Sequence, residues 1–386
     1  MTQRILLLSS GLIMMVMMGT VYSWSVFRPF IEDHHGLNVE ESGFPYMVSL
    51  VFYALSMMVT GRYMNQHNSR KVAVIGAVLI GVGWLLASQV HGLVGLVLSY
   101  GVLVGTGVGM LYGVPIFLIQ RLCNARSGLY TGIVLAGFGM SPLLGAPLID
   151  RMLRAYSVPM VFLTIGIVFL IGLTLCALVL PKALGDVARF EARTEKIDWT
   201  RFITMYVLFV VAAAIGLNAI GLSYKVGVDY YGYGGVLMAW MVAGFAFCNG
   251  VARPLFGWLM DRVSFATGAT MSFSLIGLAA FLALINQGRS PILFALSFGL
   301  MWFNLGAWLA MIPVTVKKTF GLESYTRTYG LMFTAYGFGA VVGVWFSGFT
   351  LNTSGGMRPV YTMVLVTTML ALATLIAFIR RRWKTS

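Results

Sequence analysis

Asn249 and Arg253 lie four residues apart in Tyr233–Gly257, a stretch whose other residues are almost all apolar. Wound into a helix, the two share a face. A guanidinium placed there can grip a carboxylate through two parallel hydrogen bonds while the neighbouring amide orients it. An arginine near a bilayer centre costs about 2.5–3.5 kcal/mol on insertion scales, so it is expected to face a bundle interior or a water-filled cavity and to bind something of opposite sign. The competing reading is that Arg253, a few residues from the helix end, snorkels to water. Against it, Cβ bonds tilt toward a helix's amino end, which leans this side chain toward the midplane. Pro254 follows directly; it removes an N–H and crowds the Gly250 carbonyl, which predicts a kink beside the arginine suited to a gate. Further hydrogen-bonding candidates are Tyr22, Tyr112 and Tyr336, each of which could donate to a carboxylate or simply pack. Trp302, Asn304 and Asn218 are expected to satisfy interhelical hydrogen bonds.

The elements that must position these residues are membrane helices. The chain has 386 residues, 59% of them hydrophobic and 10% charged, with a mean hydropathy of +0.87, which excludes an ordinary soluble domain. Twelve spans are predicted near residues 4–29, 43–62, 71–90, 93–120, 126–150, 156–180, 201–224, 233–257, 266–286, 291–315, 328–350 and 358–380, each long enough to cross about 30 Å of hydrocarbon. The first span is too long, and too free of a small-residue cleavage site, for a removable signal peptide. Cys123, Cys176 and Cys248 lie in or beside predicted spans and suggest no disulfide. With a cytoplasmic amino terminus, nineteen of the 26 Lys and Arg fall on the inner side, six on the outer, and Arg253 between. This bias predicts that both termini are cytoplasmic, and the inner (plasma) membrane is the expected location. The formal charge of +14 is scattered over short loops, so nucleic acid is not an expected partner.

The polar stretch 182–200, with eight charged residues from Lys182 to Asp198, divides the chain into a half at 1–181 and a half at 201–386 that ends in a short basic tail. A short loop recurs in both halves. Gly61-Arg-Tyr-Met-Asn65 leads to Arg70-Lys71 after span 2, and Gly257-Trp-Leu-Met-Asp261-Arg262 follows span 8, with the glycines 196 positions apart. An all-α bundle of two parallel six-helix halves, with a substrate site between them near the midplane, is the architecture these features imply.

These loops resemble the loop motif of the major facilitator superfamily. The resemblance implies conformational latches at the cytoplasmic face, formed around Gly61, Arg70, Gly257, Asp261 and Arg262, beside the gating position expected at Pro254 from its effect on the helix. Asn65 stands where the motif commonly has an acid, and the second copy lacks the downstream basic pair. A narrower resemblance starts at Asn249-Gly-Val-Ala-Arg253-Pro254, with Tyr22-Ser-Trp24-Ser-Val-Phe27, Gly105-Thr-Gly-Val-Gly109-Met-Leu-Tyr112-Gly-Val-Pro115 and Gly330-Leu-Met-Phe-Thr-Ala-Tyr336-Gly. These segments are similar to those of the monocarboxylate transporters and the prokaryotic oxalate:formate antiporter group. The resemblance implies that Arg253 pairs with the substrate carboxylate, and that Tyr336 stands where the antiporters carry a second cation. One cation suits one negative charge, so a lactate-, pyruvate- or formate-like monocarboxylate is expected, with oxalate/formate exchange as the alternative.

The twelve acids fall in loops or at helix ends and the four His in loops, so the pathway offers no titratable acid. A proton is therefore expected to travel with the substrate. The glycines at 101, 105, 109 and 113 form a small-residue stripe for close helix approach and no nucleotide site. No catalytic triad or metal cluster is present in the sequence; no enzyme, cofactor or metal is expected, and a functional monomer is. A non-transporting sensor and a sugar or drug carrier on the same fold remain the other readings.

Overall fold

Twelve helical rods run back and forth in the computed structural model, which describes residues 2–38, 41–65, 67–122, 126–180, 197–354 and 356–382. The first, α1, has three segments: Thr2–Met18, a 3-10 turn at Gly19–Ser23, and Trp24–His35. It continues past the expected end at residue 29 because nothing stops it before Gly36, whose left-handed φ of 65° caps it. His34 and His35 therefore lie in its last turn, where loops were expected.

The rods that follow are α2 (Phe44–Tyr63), α3 (Ser69–Ala87), α4 (Gly92–Leu96, a π segment Val97–Val104, then Gly105–Leu122), α5 (Ser127–Ala155) and α6 (Val158–Val179). After residue 196 come α7 (Trp199–Lys225, closed by a π turn Val226–Tyr230), α8 (Gly235–Met260), α9 (Phe265–Asn286), α10 (Pro291–Phe320), α11 (Tyr325–Ser354) and α12 (Arg358–Arg382). Among the described residues, eleven helical stretches are long and apolar enough to cross a membrane. Most of the expected 182–200 linker, together with Cys123, lies outside the described residues; Asp198 caps α7 by accepting from the N–H groups of Thr200 and Arg201.

Large apolar side chains such as Leu144, Leu148, Ile171 and Leu370 cover the outside of the bundle, as a hydrocarbon solvent requires. Lipid supplies no hydrophobic drive between helices, so close packing must come from small residues. At Gly105 an added Cβ would press on the Ser49 backbone, and at Gly109 on the Tyr53 carbonyl. The expected glycine stripe is thus the seam between α4 and α2, except at Gly113, where the space is roomier. Within the first six helices α3 packs on α6, and within the last six α9 packs on α12. The two sets meet along α5 with α8 and along α2 with α11, and these seams frame the centre.

Candidate functional site

α8 carries Asn249 and Arg253 on the side turned toward α5 and α10, and both are fully buried. Asn249 Nδ2 donates to the Trp302 carbonyl of α10 at 2.7 Å, which turns its Oδ1 toward the arginine. Arg253 NH2 donates to that Oδ1 at 3.0 Å, and NH1 donates across the seam to the Leu135 carbonyl of α5 at 2.7 Å. Nε has no partner. Of the guanidinium's five N–H donors, two are thus engaged. Its carbon lies 5.5 Å from the centre of the Phe138 ring, within cation–π range.

No carboxylate among the described residues pairs with this charge. The four ion pairs found there, Arg28–Glu32, Arg154–Asp150, Arg201–Asp198 and Lys225–Asp229, all join near neighbours on α1, α5 and α7. Arg253 does not snorkel, because α5 covers it: Gly132 sits against the Arg253 carbonyl and Pro254, and Gly139 against Asn249 Oδ1 and Arg253 Nε. α8 stays continuous through Pro254 from Gly235 to Met260.

Aromatic rings close the space around the guanidinium. Tyr22 and Tyr112 lie within electrostatic reach of it. The Tyr22 and Tyr336 hydroxyls, from α1 and α11, hydrogen-bond each other at 2.8 Å, whereas the buried Tyr112 hydroxyl has no partner. Phe138 meets Tyr22 at 5.0 Å and Tyr112 at 5.4 Å between ring centres. Tyr53 bridges Tyr112 at 5.2 Å and Tyr336 at 5.7 Å, and Phe333 stacks on Tyr336 at 5.0 Å. All five residues singled out for binding therefore converge. Tyr53, Phe138, Phe333 and the Leu135 carbonyl were not singled out; an aromatic in an apolar helix gives no sign of which way it faces, and a main-chain acceptor gives none at all.

The two ends of the bundle differ. At the end bearing the termini, Asp261 accepts from the N–H groups of Gly128 (3.1 Å) and Leu129 (3.2 Å), a negative charge at the otherwise uncapped start of α5. Gly257 lies against Gly128, and Gly61 against the Thr326 carbonyl of α11. Lys317 of α10, read from the sequence only as a loop charge, reaches across to the Gln120 carbonyl at 2.8 Å and Ser127 Oγ at 3.3 Å. Arg262 stays on its own helix, over the Trp258 ring at 4.0 Å, and Arg70 has no hydrogen bond or ion pair among the described residues. Asn65 Oδ1 accepts from the N–H groups of His67 and Asn68 in its own loop. Of the three residues expected to bridge helices, Asn304 does, accepting from Ser272, while Trp302 Nε1 and Asn218 Oδ1 have no partner. At the opposite end α5 and α8 diverge around a cavity of about 660 Å³ between α1, α5, α7 and α8.

The sequence model of the Major Facilitator Superfamily matches residues 9–239 and 199–385. The chain belongs to the major facilitator superfamily. As a member it is a secondary transporter and multi-pass membrane protein, with a small-molecule substrate, and not an enzyme. Among superfamily relatives, it is 24% identical to the oxalate:formate antiporter of Oxalobacter formigenes, over 94% of this chain and 88% of that one. It is 24% identical to mouse monocarboxylate transporter 11, over 87% and 78% of the two chains, and to the Escherichia coli MFS-type transporter YhjX, over 88% and 86%. The major facilitator fold is shared with the human organic anion transporter MFSD10, with a TM-score of 0.72 at 12% identity over 96% of this chain and 99% of that one.

Proposed function

We propose that this major facilitator protein carries a small monocarboxylate across the plasma membrane by alternating access, with Arg253 as the carboxylate's partner. The observation behind this reading is a fully buried guanidinium with a free Nε and no carboxylate near it among the described residues. Burying an unpaired charge is expensive, and an incoming carboxylate offsets that cost through two charge-assisted hydrogen bonds. Asn249 fixes the guanidinium plane, and the free Tyr112 hydroxyl is a further donor to the anion. Tyr22 and Tyr336 hold one another and close the cage above it.

In this reading the termini are cytoplasmic, as the charge bias indicates, and the halves 1–181 and 201–386 rock about the arginine. The arrangement is then closed toward the cytoplasm by Asp261, Lys317 and the glycine seams at Gly61 and Gly257, with a chamber open at the outer end and the arginine itself occluded. A proton entering with the substrate keeps the transported unit neutral. Relatives named as a monocarboxylate transporter and an oxalate:formate antiporter support the substrate class. Between those two, the pairing of Tyr336 with Tyr22 favours one negative charge, because no second cation adjoins Arg253 among the described residues.

The test is uptake of radiolabelled L-lactate into proteoliposomes under an inward proton gradient, with native protein and Arg253→Ala. Gradient-driven uptake that disappears in the variant is expected. Exchange of preloaded formate or oxalate, with no lactate uptake under any gradient, would reassign the protein to anion exchange.

A further inference from the structure

The cavity between the diverging ends of α5 and α8 is separate from the arginine site. None of the five residues singled out for binding lines it; Ala146, Val242 and Ala243 are its buried lining residues, Met140 of α5 packs on Gly250, and Arg253 is fully buried. At about 660 Å³ it falls among cavities that hold drug-sized ligands, far beyond what a three-carbon acid fills. Its lining is mixed. Phe30, Ala239 and Trp240 give it apolar surface, while Asp150, Arg151, Arg154 and Tyr224 give it polar groups.

Charge among the polar groups does not cancel. Arg154 Nε is bound to Asp150 at 2.9 Å, whereas Arg151 has no hydrogen bond or ion pair among the described residues. The lining therefore presents one net positive charge. In the same lining Trp240 is 72% exposed and Val236 78%, large apolar surface that a small polar solute does not need.

We propose that this chamber binds an amphipathic organic monoanion, its carboxylate on Arg151 and its alkyl or aryl body against Trp240. Such a ligand is too large for the arginine site. It wedges α5 and α8 apart and holds the bundle closed at the end bearing the termini. Binding depends on the cavity's shape and charge alone, so it is independent of which small anion is carried.

The test uses full-length protein in phosphatidylcholine nanodiscs and follows tryptophan fluorescence as 11-bromoundecanoate is added, since bromine quenches an indole it touches. Saturable quenching, reversed by unbrominated undecanoate, is expected. Trp240→Phe should remove the saturable part although eight of the nine tryptophans remain. Ala239→Phe, at an exposed position in the lining, should fill the chamber and abolish the saturable part with Trp240 still present. Arg151→Gln should raise the half-saturating concentration about tenfold. A disc containing acyl-brominated phosphatidylglycerol separates sources: quenching there that is lost in Ala239→Phe means that the anion enters from the bilayer. Quenching that rises linearly, or that is the same in all three variants, would overturn the proposal and reduce the effect to partitioning into lipid.

Discussion

At Arg253 the important quantity is orientation rather than charge alone. Lysine keeps the charge but loses the planar fork, so Arg253→Lys should raise the apparent KM for lactate about tenfold or more while protein yield stays normal, read in the same proteoliposome assay. Gly139 is the more informative position. A methyl there would collide with Asn249 Oδ1 and press on Arg253 Nε, although Gly139 touches no substrate in the proposed mechanism. Misplacing a binding group by an ångström can cost about a hundredfold, so Gly139→Ala should reduce uptake by roughly ten- to a hundredfold with an unchanged gel-filtration profile. Unaltered uptake in this variant would mean that the guanidinium's observed pose is not the working one. The Asn249–Arg253 pair is visible in sequence because helical periodicity brings i and i+4 together. The acceptor on Leu135 is invisible there, because every residue has a carbonyl and only the meeting of α5 with α8 selects this one.

At the scale of elements, the latch around Asp261 joins a helix end to a helix start. Replacing Asp261 with Ala removes two hydrogen bonds to the α5 amino terminus, a capping loss of about 1 kcal/mol. The ratio of closed to open arrangements at that end should fall about fivefold. Spin labels at Arg126 and Arg262 should report it as a longer, broader distance distribution, and an unchanged distribution would remove Asp261 from the latch. The Gly257–Asp261 loop was legible because its spacing repeats that at Gly61; its partner was not, since backbone N–H groups at a helix start leave no composition signal. Lys317 shows the same limit in reverse. A lysine at a helix end reads as a topology charge, and only the approach of α10 to α4 and α5 turns it into a tie. Apolar length located the helices well, yet it carried no sign of the 3-10 turn at Gly19–Ser23 or the π segment at Val97–Val104, whose backbone patterns follow from packing.

For the whole molecule, the two ends make opposite predictions about access. Ala239→Cys lies in the wall of the open chamber, so a membrane-impermeant maleimide added to intact cells should label it. Labelling only after permeabilisation would reverse the assigned orientation. Arg253 also has an electrical consequence. A cation that stays at the hinge while the halves move around it transfers no charge of its own. A monoanion crossing alone would then carry a full elementary charge through the membrane field, worth about 2.3 kcal/mol per 100 mV. An anion crossing with a proton, or swapped for another monoanion, carries none. Clamping the potential with potassium and valinomycin should therefore leave proton-driven uptake unchanged, and the resting vesicle should conduct neither sodium nor potassium, because the buried Arg253 charge repels them.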